Sequence, residues 1–355
     1  ILFVYPTTPT ATTRSLVGGH ALALLLGSAF ALLLFASPVE SFLEDLSPVR
    51  NLSLAVSVGL LILAMAITDT EHPPAAGTVL GMATRPWELE TASIIIGAVL
   101  LLAACKAGDV IVHSGPLYAA SEGFIAKTMA KYGVSFIDFP AGATREQLDE
   151  VMTRAKKLAE EKGGEVPMIY LESPGNPTNA LVDIEAVRDA RDAHFDADKC
   201  SIAIDNTFLG PLWQRPLDHG ADLVVYSLTK YVGGHSDLVA GSVSGKKRFI
   251  DAIRMLRNTM GGICDPNTAW MLCRSLETVE LRMQRAGENA EKVCEFLSRH
   301  AKVEGLGYLG MIKDARQQDI YNRHCNGAGS TFSLLLKGGE AECFRFLDAL
   351  KIAKL

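Results

Sequence analysis

Two short apolar runs, SIAI at 201–204 and LVVY at 223–226, each give way at once to polar residues, and together they constrain the chain more than any other feature. The first runs into Asp205-Asn206-Thr207 and the second into Ser227-Leu228-Thr229-Lys230. Both read as β-strands. The sequence before them alternates in the same manner, with strand-like runs at 109–114, 134–139 and 166–171 and helical runs at 118–132, 144–162 and 184–194. Gly133 stops the first of these helices. Thr144, with Gln147 three residues on, is a capping box that opens the second, and Gly163-Gly164 close it. Alternation of this kind argues for a mostly parallel sheet. In an open α/β sheet, ligands sit beyond the carboxyl ends of the strands. Asp205 and Lys230 are therefore expected on neighbouring strands, facing one crevice.

A single lysine after a strand is most often a solvated loop residue, and a single aspartate there is most often a helix N-cap. Asp-Asn-Thr, then Ser-x-Thr-Lys-Tyr, then Gly233-Gly234-His235 is a much rarer combination. It suits pyridoxal phosphate, which a lysine carries as a Schiff base while an acid partners the pyridinium nitrogen. On this reading Lys230 is the catalytic residue and the point of attachment, and its released amine can shuttle protons on substrate carbons. Asp205 keeps the ring nitrogen protonated.

Five further blocks carry a family resemblance: KAGD at 106–109, LY at 117–118, ESPGNPT at 172–178, DNTF at 205–208 and SLTKYVGGH at 227–235. With them, residues 102–355 resemble the Cys/Met-metabolism family of pyridoxal-phosphate enzymes. The resemblance implies an α/β large domain of the aspartate-aminotransferase-like type (fold type I) and the start of a small α+β domain. It implies that Ser227 and Thr229 bind the cofactor phosphate, that Tyr118 stacks on the ring, that Asn176 lies near the ring hydroxyl, and that Thr207 lies against the ring. Taken alone, Tyr118 reads as a core aromatic, Asn176-Pro177 as an ordinary turn and Glu172 as an ion-pair residue. The implied reaction is γ-replacement or elimination on a sulfur- or acyl-bearing amino acid. SLTKYVGGHSD and GAGSTFS at 327–333 look most like the cystathionine γ-synthase-like branch. Family members build the site from two subunits, so a homo-oligomer is expected. They also carry an upstream phosphate-binding loop with a Tyr and an Arg, and a downstream arginine for the substrate carboxylate. Neither stretch is present between Ile1 and Leu355, so impaired turnover is expected.

Further along, Asp265-Pro266 opens a helix that is expected to run on through Leu272, Leu276, Val279, Met283, Ala286, Ala290, Val293 and Leu297, one apolar face at helical spacing. A strand near 303–308, a helix near 314–323, a strand at 330–336 and a helix at 341–350 complete the pattern.

The first 105 residues differ in kind. Their fixed positive charges are Arg14, Arg50 and Arg85, and uncharged runs occupy 16–36, 52–67 and 92–105. The first is long enough to span a bilayer, and small residues recur within all three. Between the second and third lies Asp69-Thr70-Glu71-His72-Pro73-Pro74, which cannot continue a helix. Residues 2–102, with Gly18-Gly19-His20, resemble the HPP family of integral membrane proteins. The expected organisation is an all-α transmembrane segment over 1–104, the cofactor domain over 105–300 and the start of a small domain over 301–355. The cofactor domain is then expected on the cytosolic side of a membrane, or in the cytoplasm if the first segment does not anchor it. Two alternatives stand beside this reading: a transport-related membrane protein with a non-catalytic passenger domain, and a chimeric sequence joined near 99–106.

Net charge is −6, and no basic block points to nucleic acid. Seven scattered cysteines form no C-x-x-C pair, which reads as reduced thiols and no zinc or other metal.

Overall fold

The computed structural model describes residues 100–351. The chain divides into two units, 1–88 and 89–355, and all described residues belong to the second. The uncharged runs at 16–36 and 52–67, the His-Pro-Pro between the second and third runs, and most of the run at 92–105 lie outside the described residues.

Six strands form the main sheet: β1 (Val110–Gly115), β2 (Ser135–Pro140), β3 (Met168–Glu172), β4 (Ser201–Asp205), β5 (Leu223–Ser227) and β6 (Gly241–Gly245). Their order is β2-β1-β3-β4-β5-β6. Pairing is parallel from β2 to β5, and β6 closes the edge antiparallel. The two strands expected as neighbours, β4 and β5, pair directly, with Asp205 opposite Val225.

Local chemistry explains the helices that lie between these strands. The helix α1 (Ala119–Gly123) passes into a π-turn at Phe124–Thr128 and a 3-10 turn at Met129–Tyr132, where one continuous helix is expected from the sequence. The switch falls at Gly123, the weakest helix former in the run. In α2 (Arg145–Lys162) the capping box is present in both directions, and Gly163 takes the left-handed φ of 69° that ends the helix. α3 (Ile184–His194) starts at Asp183, whose side chain accepts from the Ala186 amide.

Strand alternation splits the core between two faces. Val112, Ile169, Leu171, Ile202 and Ile204 pack with Leu148 and Met152 of α2 and Val187 of α3. On the other face, Ile111, Met168, Tyr170, Ala203 and Val225 pack with Ile125, Met129, Leu100 and Leu101. Residues 100–104 are helical, and Leu100 and Leu101 are fully buried. The sequence reading places this end of the third uncharged run in a membrane segment, whereas its described residues pack on the sheet. Burying a leucine is worth roughly 1.5–3 kcal/mol, so the pair fastens this segment firmly. An uncharged run serves either purpose, and the apolar face of the sheet decides between them here. Among the described residues no helix is long and apolar enough to cross a membrane.

After a short α4 (Gly210–Trp213) and α5 (Lys247–Met260), the helix expected from Asp265 onward is two: α6 (Pro266–Leu276) and α7 (Val279–Ser298). At the break, the Thr278 hydroxyl donates to the Ser275 carbonyl, a local bond that competes with the helical ladder. The apolar stripe divides accordingly. Met283 and Ala290 are buried, while Leu276 and Val293 are exposed. The strands β7 (Val303–Gly307) and β8 (Ser333–Leu336) form a separate antiparallel pair, flanked by α8 (Ala315–His324) and α9 (Glu340–Ala349).

Candidate active site

The carboxyl ends of β1, β3, β4 and β5, four adjacent strands, carry every residue singled out from the sequence. Tyr118 follows β1, and Asn176 follows β3. Asp205 and Thr207 close β4. Ser227, Thr229 and Lys230 close β5. Alternation puts Glu172, Asp205 and Ser227 on one face of the sheet, the face of Tyr170, Ala203 and Val225.

Glu172 and Asp205 lie side by side in register. The buried Glu172 carboxyl accepts the Tyr118 amide on Oε2 at 2.6 Å and the Asn176 amide on Oε1 at 2.7 Å. One side chain thus fixes the two loops that bear the aromatic and the amide candidates. Burial, reinforced by neighbouring Asp205, pushes the Glu172 carboxyl up to about 8. Burial also raises Asp205 above the usual carboxylate range, against the hydrogen bonds from Thr207. Among the described residues neither carboxyl has a cationic partner.

Asp205 Oδ1 accepts from the Thr207 amide at 2.9 Å and the Thr207 hydroxyl at 2.6 Å. The same hydroxyl oxygen accepts the Ser227 amide at 2.9 Å. This relay ties the end of β4 to the end of β5. The chain then turns, with the Lys230 amide donating to the Ser227 carbonyl at 3.2 Å and the Gly234 amide donating to the Lys230 carbonyl at 2.8 Å. Lys230 is exposed. Thr229 is buried, and its hydroxyl exchanges hydrogen bonds with Ala240, accepting the amide at 3.0 Å and donating to the carbonyl at 3.2 Å. That hydroxyl closes the loop as it stands, and it must turn away from Ala240 to meet a phosphate.

Two residues in this arrangement escape the sequence reading. Glu172 is legible there only as an ion-pair residue, yet among the described residues it has no ion pair and instead holds two backbone amides. Its position at the head of ESPGNPT is the signal that could have selected it. Arg282 of α7 is the other. Its guanidinium donates to the carbonyls of Tyr231 at 2.6 Å, Val232 at 3.0 Å and Ser275 at 2.8 Å, clamping the loop just past Lys230. Gly234 has a φ of 73°, and a Cβ there would lie 1.8 Å from Arg282 Nη1, so glycine is required for the clamp to close. A cleft of about 440 Å³ lined by Trp213, Glu288, Glu291, Tyr308 and Tyr321 includes none of the strand-end residues.

Residues 91–355 match the family described as Cys/Met metabolism PLP-dependent enzyme. Residues 1–113 match the family described as HPP, transmembrane region, so the two matches overlap over 91–113. The L-methionine gamma-lyase of Treponema denticola is 34% identical over 271 residues, 75% of this chain and 64% of that protein. The cystathionine gamma-lyase of Sus scrofa is 30% identical over 272 residues, 76% of this chain and 63% of that protein. The chain therefore spans a little under two thirds of the length of these curated relatives. Among solved structures, metB from Corynebacterium glutamicum superposes with a TM-score of 0.67 at 26% identity, covering 75% of this chain and 65% of that one. The cystathionine gamma synthase from Xanthomonas oryzae pv. oryzae, in complex with aminoacrylate and cysteine, gives 0.64 at 29% identity, over 75% and 64%. The family model matches residues 91–355, about three quarters of the sequence, and the chain belongs to the Cys/Met-metabolism family of pyridoxal-phosphate-dependent enzymes.

Proposed function

We propose that this chain is a transsulfuration-type enzyme domain, acting by γ-replacement or elimination on a sulfur- or acyl-bearing amino acid. The observation that carries the reading is the Glu172–Asp205 pair, two shielded carboxyls in register at the strand ends with no cation among the described residues. Shielded carboxyls without a counter-charge are unfavourable, and adjacency makes them more so. A protonated ring nitrogen against Asp205 supplies the missing charge, so the residues present fit pyridoxal 5′-phosphate.

In that arrangement Lys230 would hold the cofactor and Asp205 would accept from its ring nitrogen. Ser227, with Thr229 once its hydroxyl turns from Ala240, would bind the phosphate. Thr207 keeps Asp205 oriented through its two hydrogen bonds to Oδ1. Tyr118 and Asn176, whose amides Glu172 holds, would line the ring. The bound cofactor supplies an electron sink for negative charge at the substrate α-carbon. The Lys230 amine, once released from the cofactor by the incoming substrate amine, would take and return protons at the substrate carbons. The names of the relatives, methionine and cystathionine gamma-lyases and a gamma synthase, support a substrate with its leaving group on the γ-carbon. GAGSTFS at 327–333 favours the cystathionine γ-synthase-like branch. The enzyme is read as a homo-oligomer. The match of residues 1–113 to the HPP family favours a membrane-attached form with this domain on the cytosolic side.

The test is borohydride reduction of the chain incubated with pyridoxal phosphate, followed by peptide mapping, beside assays for 2-oxobutanoate and cystathionine. An adduct on Lys230 that is lost in Lys230→Ala is the expected result. Label scattered over surface lysines, with Lys230 untouched, would sink the reading.

A further inference from the structure

A second cluster of chemically capable side chains lies away from the strand ends. Glu185 stands in the first turn of α3, His219 ends the 3-10 turn at Pro216–His219 that leads into β5, and His324 is the last residue of α8. One ligand atom from each lies within 4.8 Å of the others. His219 Nδ1 is 3.2 Å from Glu185 Oε1, and His324 Nε2 is 3.7 Å from Glu185 Oε2. The two imidazole rings have centroids 4.4 Å apart. A tetrahedral zinc ion with bonds of about 2.0–2.1 Å sets its ligand atoms roughly 3.3–3.4 Å apart. The three ligand atoms lie within 4.8 Å of one another, so the side chains must draw together to meet that value.

We propose that Glu185, His219 and His324 form a zinc-binding site that fastens α8 to α3 and to the lead-in of β5. Two imidazoles and one carboxylate with an open fourth position are a familiar donor set for this ion. Asp183, whose Oδ1 is 3.8 Å from His324 Nε2, is the nearest further donor. His324 is buried to 2% exposure, so packing holds its Nε2 on the Glu185 side of the cluster.

Arg323 is the competitor. Its Nη1 donates to Glu185 Oε2 at 2.8 Å and sits 3.1 Å from His324 Nε2, while its Nη2 pairs with Asp183 at 2.7 Å. Zinc must displace this guanidinium, whose side chain is 35% exposed and has room to swing outward. The cluster therefore has two rival uses, a metal site or a closed ion-pair network, and Arg323 separates them.

The experiment is titration of the full chain with Zn²⁺ against a chromophoric chelator, with Co²⁺ as a spectroscopic substitute. Saturable binding of one ion per chain is expected, with d–d bands of a tetrahedral site and no thiolate charge-transfer band. His219→Ala and the near-isosteric Glu185→Gln should each weaken binding by more than the roughly 10–100-fold typical of an outer-shell partner. Arg323→Ala should strengthen it. Absence of stoichiometric binding, an affinity unchanged in both ligand variants, or a cobalt spectrum dominated by thiolate charge transfer would overturn the proposal.

Discussion

Asp222 and Asp205 are aspartates at opposite ends of the same pair of strands, and they are treated in opposite ways. Asp222 precedes β5 and is fully buried. Its Oδ2 accepts from Arg191 Nη1 at 2.8 Å and from the Ile202 amide at 2.8 Å, and Lys246 Nζ lies 2.5 Å from Oδ1. Arg191 is itself buried and donates to the Cys200 carbonyl at 2.9 Å. Asp205, at the far end of β4, meets only neutral donors among the described residues, the amide and hydroxyl of Thr207. Among the described residues, then, cations face the amino-end carboxylate and none faces the carboxyl-end one. A carboxylate closed by its own chain holds structure together. One left to neutral donors has room for a charge supplied by a ligand, which is the role proposed for Asp205.

The largest effect expected from this contrast is on Arg191. Arg191→Ala leaves the Asp222 charge without its principal partner and should destabilise the fold by about 3–5 kcal/mol in urea denaturation. A loss indistinguishable from that of an exposed arginine would erase the contrast.

Glu172→Gln comes next. The replacement amide can accept only one of the two N–H groups from Tyr118 and Asn176, so about 1–3 kcal/mol should be lost at acidic pH. The pH dependence carries the sharper information. The folded-state pKa of Glu172 is raised to about 8 from 4.5, so its contribution is fully present below about 4.5 and is lost as pH rises through about 8. The parent chain should lose stability between pH 5 and 8, and the glutamine variant should lose less. Parallel pH profiles for the two proteins would show that Glu172 is not the group responsible.

The smallest stability effect belongs to Asp205→Asn. Burial raises the folded-state pKa of Asp205, so its charge opposes folding at neutral pH. Without cofactor the variant should be as stable as the parent or slightly more so, although it should no longer retain pyridoxal phosphate through gel filtration. A clear loss of stability in the cofactor-free protein would place Asp205 in the same class as Asp222.

Much of this architecture is legible in the sequence because its determinants are local. Thr144 with Gln147, Gly163, and Asp183 before Ile184 each act within one helical turn, and the helices begin and end where these residues dictate. The apolar runs ending in Asp205 and Ser227 declare both the strands and the site at their ends. The rest depends on partners far along the chain. Glu172 meets Tyr118 across 54 positions, and nothing near either residue announces the bond. At the break between α6 and α7 the Ser275 carbonyl is taken by Thr278 and by Arg282 Nη2, bonds that an apolar stripe does not register. Leu100 and Leu101 belong to a run whose composition suits a bilayer as well as a sheet, and only the apolar face that receives them distinguishes the two.

The clamp from Arg282 has a consequence for the order in which the site can be completed. β4, β5 and the turn between Ser227 and Lys230 are all made by residue 230, but the carbonyls of Tyr231 and Val232 find the guanidinium only 50 or 51 positions later. A chain emerging from the ribosome therefore presents the lysine well before it can fasten the loop that carries it. The loop belongs in this sense to a later stage of synthesis than the strand that ends in it. Contacts of such separation form late, because the intervening chain must be ordered first. The loop that carries Lys230 thus gains its fixed setting only after the scaffold beneath it is in place.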